Sequence, residues 1–142
     1  MKSYAYPATM KKPRDGTYGV QFMNFKEGFA YGNALAEAQD NPCEVISLLL
    51  ESYLAFKIAL PVPTIKKGAI LILPDAKTQA ALALYESLST SKNVKTMVQR
   101  APAIDTSWAA ASRLGDPSHL PTLKLLDKAV RATGKRLVIS IE

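Results

Sequence analysis

"YPATMKKPRDGTYGVQFMNFKEGFAYGNALAEA", Tyr6 to Ala38, decides how the first half of this chain folds. Its apolar residues recur at every second position, the period of a strand with one buried face. With Tyr4 just ahead of it, Tyr6, Ala8 and Met10 share one side of a first strand, and Tyr18, Val20 and Phe22 share one side of a second. Pro13 and the Asp15-Gly16 pair between them are turn chemistry, because glycine accepts a positive φ without steric cost. Gly28 suits a second turn, after which "FAYG" reads as a short third strand ending at Gly32.

Beyond Gly32 the period lengthens to that of a helix. From Ala34 to about Lys57, Leu35, Ala38, Val45, Ile46, Leu49, Tyr53 and Phe56 fall near one side. Pro42 interrupts this run and predicts a kink or a restart, with Asp40 or Asn41 capping a second helix from Cys43 to Lys57. "IALPVPTIKKG" is a connection, and "AILILP", bounded by Gly68 and Pro74, reads as a buried strand. The order β-β-β-α-β is most economically a sheet with a helix on one face.

The remainder is mainly helical. Asp75 is placed to cap a helix that keeps Ala80, Ala81, Leu84, Tyr85 and Leu88 on one face. "NVKTMVQRA" and "DTSWAAASRLG" are two short helices, the second opening at Asp105 and stopping at Gly115. "LPTLKLLDKAVRATG" is a further helix, with Leu123, Leu125, Leu126 and Val130 inward, and "RLVISIE" alternates as a strand. The expected architecture is α+β: residues 1–74 form the sheet domain and 75–142 a helical domain.

Composition narrows the class. An apolar content of 48% with 21% charged residues is that of a folded chain with a core. No apolar run approaches the length of a membrane span, and the N-terminal "MKSYAYPATMKKPR" lacks the apolar stretch of a secretory signal. The single cysteine, Cys43, cannot form a disulfide within the chain and suits a reducing compartment, so the expected location is the cytoplasm. The formal charge of +6 is uneven: Ala76 to Arg136 holds ten Lys/Arg against four Asp/Glu. Such a segment fits an acidic partner such as nucleic acid, or a solvated surface.

Two consecutive short helices in a basic helical module resemble a helix-turn-helix. The second carries three alanines between Trp108 and Arg113. Small outward residues allow a backbone to approach a bulky surface, and alanine can touch a thymine methyl. On this reading Thr106, Ser107, Trp108, Ala109 and Ser112 face the major groove. Arg113 reaches a guanine edge or a phosphate, Lys92, Lys95 and Arg100 contact the backbone, and His119 meets a phosphate from the following loop. The competing reading makes Trp108 a core or dimer-interface residue, pairs Arg113 with Asp116, and leaves Arg131, Lys135 and Arg136 solvated.

Residues 6–38 resemble the N-terminal domain of the HicB antitoxin family: a Tyr-Pro strand, an Asp-Gly turn, an aromatic second strand, and a glycine before an alanine-rich helix. "RLGDPSHLPTLKLLDKAVRATGKRL" resembles the end of the helix-turn-helix domain found in many members, so the two stretches frame nearly the whole chain. Two features depart from the family pattern. Pro42 sits where members carry an uninterrupted helix, and the turn "APAIDTS" is about three residues longer than the usual tight turn of such motifs.

The resemblance implies a partial ribonuclease-H-like N-terminal domain that masks a HicA-type mRNA ribonuclease toxin. It also implies a C-terminal domain that binds double-stranded promoter DNA and represses its own operon, as a homodimer or homotetramer. The surface expected to meet the toxin is the polar-apolar edge around Lys11, Lys12, Arg14, Asn24 and Phe25. Seven aromatics, Tyr4, Tyr6, Tyr18, Phe22, Phe25, Phe29 and Tyr31, are more than a small sheet and one helix readily hide, and aromatics favour interfaces. The alternative function is a protein-interaction module that dimerises through its C-terminal domain without binding DNA.

No enzyme is expected. His119 is the only histidine and stands in a loop segment, and Cys43 lies too far from it in sequence to suggest metal-ligand spacing. Asp15 is explained by the turn, and Glu27, Glu37 and Asp40 by exposed positions. The seven glycines form no phosphate-binding loop. Neither metal nor cofactor is called for.

Overall fold

The computed structural model describes residues 4–11, 16–90 and 121–141. The chain divides into two compact units, Met1–Gln79 and Ala80–Glu142. Among the described residues the architecture is α+β, with four antiparallel strands and three helices.

In the first unit β1 (Tyr6–Lys11), β2 (Tyr18–Phe22), β3 (Phe29–Gly32) and β4 (Ile70–Ile72) form one sheet in the order β3-β2-β1-β4. The pairing sets Ala8 opposite both Phe22 and Ile70, Met10 opposite Val20, and Val20 opposite Ala30. Period-two alternation therefore collects Tyr6, Ala8, Val20, Phe22 and Ala30 on one face, and all five are buried. Helix α1 (Leu35–Ala55) covers that face with Ile46 and Leu50, both fully buried.

An aromatic cluster closes this core. Phe25 meets Tyr6, Phe22 and Tyr53 edge-on, at centroid distances of 5.0, 6.4 and 5.4 Å. Phe25 is only 1% exposed, so the expectation that it lies on an exposed binding edge is corrected. The turn after it folds Phe25 inward: Gly28 N–H donates to Phe25 O, and Phe22 N–H donates to Gly28 O. A Cβ on Gly28 would stand 3.0 Å from the Cβ atoms of both Phe22 and Phe25, so only glycine fits there without displacement.

Three further expectations are corrected. Helix α1 runs through Pro42 without a restart. A proline inside a helix removes one backbone hydrogen bond, a cost of about 3 kcal/mol. Here the ring is fully buried, and the neighbouring Asn41 Nδ2 donates to Tyr31 O at 2.6 Å, tying the helix to β3 at this point. Strand β4 is an edge strand rather than a buried one, with Leu71 51% exposed. Residues 135–141 form no strand among the described residues.

Helix α2 (Ala76–Thr90) starts where the sequence places it, since Asp75 Oδ1 accepts from Thr78 N–H at 2.7 Å. Its buried side chains include Thr78, Leu82, Leu84 and Ser87, whereas Tyr85, expected inward, is 41% exposed. In the second unit, helix α3 (Leu123–Ala132) is capped by Thr122, whose Oγ1 accepts from Leu125 N–H. Gly134, at φ +78°, stops it, with its N–H on Arg131 O. Leu126, Ala129 and Val130 form a core with Leu84, and Ala80, Leu125, Ala132 and Leu137 pack around it. Leu123, expected inward, is 60% exposed.

Candidate protein-binding face

The sheet has two unlike faces, and α1 covers one. On the other, the register aligns Thr9 with Gln21 and Gln21 with Phe29, and Lys11 with Gly19 and Gly19 with Tyr31. Phe29 is 46% exposed and Tyr31 63%. Their placement follows from "FAYG": small Ala30 and Gly32 turn toward α1 and let the helix approach, which sends both aromatic rings outward. At the opposite edge of the sheet Leu71 is exposed as well, while Pro7, its register partner, is fully buried. Lys11 is exposed on the same face. The result is a mixed surface of aromatic, aliphatic and cationic groups on rigid strands, chemistry suited to a protein partner.

A strap from Ile58 to Ala69 borders the sheet. It is held by Asn24, whose Nδ2 donates to Val62 O at 3.1 Å and to Thr64 Oγ1 at 3.3 Å, while its Oδ1 accepts from Thr64 N–H at 3.3 Å. Tyr6 OH donates to Pro61 O at 3.0 Å. Beside the strap lies an open groove of about 380 Å³ lined by Thr9, Gln21, Phe22, Met23, Asn24, Thr64 and Lys66. Openness and mixed lining make it an extension of the flat face rather than an enclosed small-molecule site.

The polar groups on the helix side have structural duties. Glu27 Oε1 accepts from Tyr53 OH at 3.1 Å; burial first, and this hydrogen bond second, push the Tyr53 hydroxyl above its ordinary pKa. Ser47 Oγ donates to Cys43 O at 2.7 Å and accepts from Asp75 N–H at 2.8 Å, fastening the start of α2 to α1. Burial, then the nearby Asp75 charge, raise the Cys43 thiol, so it is a weaker nucleophile at neutral pH than a free cysteine. Among the described residues no three His, Cys, Asp or Glu side chains group to hold a metal ion, and no helix is long and apolar enough to cross a membrane.

Of the five residues expected on the binding edge, Lys11 stands on the open face, Asn24 anchors the strap and Phe25 is core. Lys12 and Arg14 lie outside the described residues. So do all ten expected DNA contacts: Lys92, Lys95, Arg100, Thr106, Ser107, Trp108, Ala109, Ser112, Arg113 and His119. Phe29 and Tyr31 are exposed on the candidate face, although the expected binding edge did not include them. Their signal was the alternation of large and small residues in "FAYG", read against a helix that must lie close to one side.

Antitoxin HicB 1 of Photorhabdus laumondii is 22% identical over 142 residues, an alignment spanning 100% of this chain and 90% of that protein. The chain resembles a HicB antitoxin from end to end. The HicB resemblance read from residues 6–38 and from the C-terminal stretch thus extends across both units. No family model matches the sequence.

Proposed function

We propose that this chain is a HicB-type antitoxin that acts by covering a HicA-type mRNA ribonuclease, not by catalysis. The observation that carries the reading is the full-length similarity to Antitoxin HicB 1. The open sheet face supports it, because Phe29, Tyr31 and Leu71 leave apolar area that the unit itself does not cover. In this reading the first unit, a partial ribonuclease-H-like fold of sheet and helix, lays that face over the toxin. The steric block needs no catalytic group.

The second unit supplies a helix-turn-helix that binds double-stranded promoter DNA and represses the operon. Lys92, Lys95 and Arg100 hold phosphates, and the helix from Thr106 to Arg113 reads bases. The basic balance between Ala76 and Arg136 supports this part, as do exposed Lys124, Lys135 and Arg136 in the described portion. Two copies read a palindrome, because each motif engages one half-site. The absence of a membrane-spanning helix among the described residues agrees with a cytoplasmic setting for these partners.

The test is co-expression. Cells arrested by the small protein encoded in the adjacent reading frame resume growth when this chain is induced, and a Phe29→Ala/Tyr31→Ala variant fails to rescue while accumulating to the same level. Rescue by that variant equal to wild type would remove the open face from the mechanism, and no rescue by the wild type would remove the antitoxin reading.

A further inference from the structure

The sheet of the first unit ends in two edges of opposite kind. Strand β3 forms one, and its outward backbone groups are spent: Phe29 N–H donates to Glu27 O at 3.2 Å, and Tyr31 O accepts from Asn41 Nδ2 at 2.6 Å. Strand β4 forms the other. Met23 N–H donates to Pro7 O, so Pro7 turns its carbonyl to β2, and by alternation Tyr6 and Ala8 turn their backbone groups to β4, opposite Ile72 and Ile70. Leu71, between those two, therefore points its N–H and C=O away from β1, to a side where no further strand lies among the described residues. Leu71 and Leu73 are 51% and 42% exposed. An edge with open backbone groups and apolar side chains is a template for another strand.

The edge's own sequence identifies the occupant. "KKGAILILPD", Lys66 to Asp75, laid antiparallel on a copy of itself and centred on Leu71, sets Leu71 opposite Leu71, Ile70 opposite Ile72, Ala69 opposite Leu73 and Lys67 opposite Asp75. Lys67 and Asp75 are both exposed, so opposite charges flank an apolar centre at both ends. Lys67 sits in the turn that Gly68 makes at φ +84°, and its flexible side chain, rather than the ladder, reaches Asp75. The backbone selects the same register. Leu71 N–H donates to the partner's Leu71 O and the reverse, and Leu73 N–H donates to the partner's Ala69 O. Ala69 N–H is already bonded to Lys66 O at 3.1 Å, and Asp75 N–H to Ser47 Oγ at 2.8 Å. Centring on Ile70 calls on the spent Ala69 N–H and sets Lys67 opposite Leu73. Centring on Ile72 calls on the spent Asp75 N–H and sets Lys67 opposite Lys77. Only the Leu71 centre uses open groups and joins opposite charges.

We propose that β4 of two copies pairs antiparallel about Leu71, joining their four-stranded sheets into one continuous sheet, and that this edge is a self-association surface of the first unit. In the joined sheet Ile70 stands beside the partner's Ile72 on the face that α1 covers, and Leu71 beside the partner's Leu71 on the other. A two-stranded ribbon alone is marginal in water, but here each of the two strands is backed by three more. The surface lies at the opposite edge of the sheet from Phe29 and Tyr31, so a toxin and a second copy occupy different strands. It is separate from any pairing that DNA binding requires and doubles whatever assembly the second unit forms. The proposal goes beyond the antitoxin reading and does not rest on it.

The experiment is sedimentation equilibrium on the full chain and on its Leu71→Lys variant, with circular dichroism to verify folding. Wild type assembles to twice the mass of Leu71→Lys, in which two cations would meet at the two-fold axis. Equal masses overturn the pairing. Register is read from cysteines placed in a Cys43→Ala background under mild oxidation. Leu71→Cys forms a disulfide-linked pair, because residues opposite each other at a hydrogen-bonded position have Cα atoms about 5.5 Å apart, within disulfide range. Leu73→Cys, on the same open edge, does not link to itself but links when mixed with Ala69→Cys. A Leu71→Cys chain that stays unlinked overturns the pairing, and so does Leu73→Cys linking to itself as readily as Leu71→Cys. Should Leu71→Lys fail to fold, the cysteine variants still decide. Leu71→Lys of halved mass that still silences the toxin is the expected outcome. A variant of wild-type mass that no longer silences it assigns Leu71 to the toxin and overturns the pairing. Halved mass for Leu71→Lys beside a wild type that silences no toxin leaves the pairing in place and removes the antitoxin reading.

Discussion

Asn24 and Thr64 grip each other across the first unit: the Asn24 Oδ1 accepts from Thr64 N–H while its Nδ2 donates to Thr64 Oγ1, both at 3.3 Å. A residue whose amide is engaged at both ends positions the strap rather than greeting a partner. Asn24→Ala should lower stability by about 1–2 kcal/mol, the net worth of a few partly exposed hydrogen bonds. Hydrogen exchange at the Thr64 amide should accelerate while exchange at Val20 and Phe22 does not. Unchanged protection at Thr64 would contradict the anchoring role.

Phe25 and Tyr31 should separate folding from binding. Phe25→Ala removes the centre of a buried aromatic cluster and should cost about 3–5 kcal/mol in urea unfolding. Tyr31→Ala, at 63% exposure, should leave the unfolding midpoint nearly in place and weaken toxin binding by at least about tenfold if its ring is an anchor of the interface. Toxin binding unaffected by Tyr31→Ala would move the interface elsewhere.

Ser47 carries a second structural link. Its hydroxyl is buried and accepts from the Asp75 N–H, which in turn leaves Asp75 free to cap α2. Ser47→Ala strands that N–H and should destabilise by about 1–3 kcal/mol. Thr78, two residues into the helix, has a buried Oγ1 without a hydrogen-bond partner among the described residues. Thr78→Val therefore should be neutral or stabilising by up to about 1 kcal/mol. Loss of stability on that change would show that the hydroxyl has work to do.

Two groups set a pH dependence at the alkaline side. The Cys43 thiol is raised by burial and by Asp75, so its alkylation by iodoacetamide should follow a curve displaced to higher pH than that of a free cysteine. Tyr53 is raised by burial and by its bond to Glu27. A folded-state pKa above the unfolded value means stability that is complete below the ordinary tyrosine pKa and is lost as pH rises through the folded one. Tyr53→Phe should flatten that alkaline loss; an unchanged alkaline limb would assign it to other groups.

Much of the fold was legible in the residues because period two and period 3.6 are local signals. The meander, the Asp75 cap and the last helix with its stop at Gly134 are read directly from alternation, capping and turn chemistry, although that helix opens at Leu123 behind a Thr122 cap and not with Pro121 in its first turn. What was illegible depends on tertiary partners. Pro42 reads as a break until its ring is seen buried and Asn41 bonded to β3. "AILILP" reads as central until the strand order puts β4 at an edge, and Tyr85 and Leu82 trade places because only the surrounding packing selects the buried stripe. At the candidate face, charge and polarity pointed to Asn24. The exposed aromatics became evident only when Ala30 and Gly32 were found facing α1.

The proposed DNA binding has its own signature. Lys95→Ala with Arg113→Ala should reduce retention on promoter DNA and flatten its salt dependence, because fewer counterions are released when fewer phosphates are neutralised. An electrophoretic titration over a range of salt would show it, and a double variant indistinguishable from wild type would favour a module that dimerises without reading DNA.

The most direct measurement is an mRNA cleavage assay with the HicA-type ribonuclease of the proposed pair, titrated with this chain. Masking by the open sheet face predicts that cleavage falls linearly and ends near one equivalent, and that Phe29→Ala/Tyr31→Ala no longer achieves this at equal concentration. Cleavage that continues undiminished in a large excess of the folded wild-type chain would contradict the account.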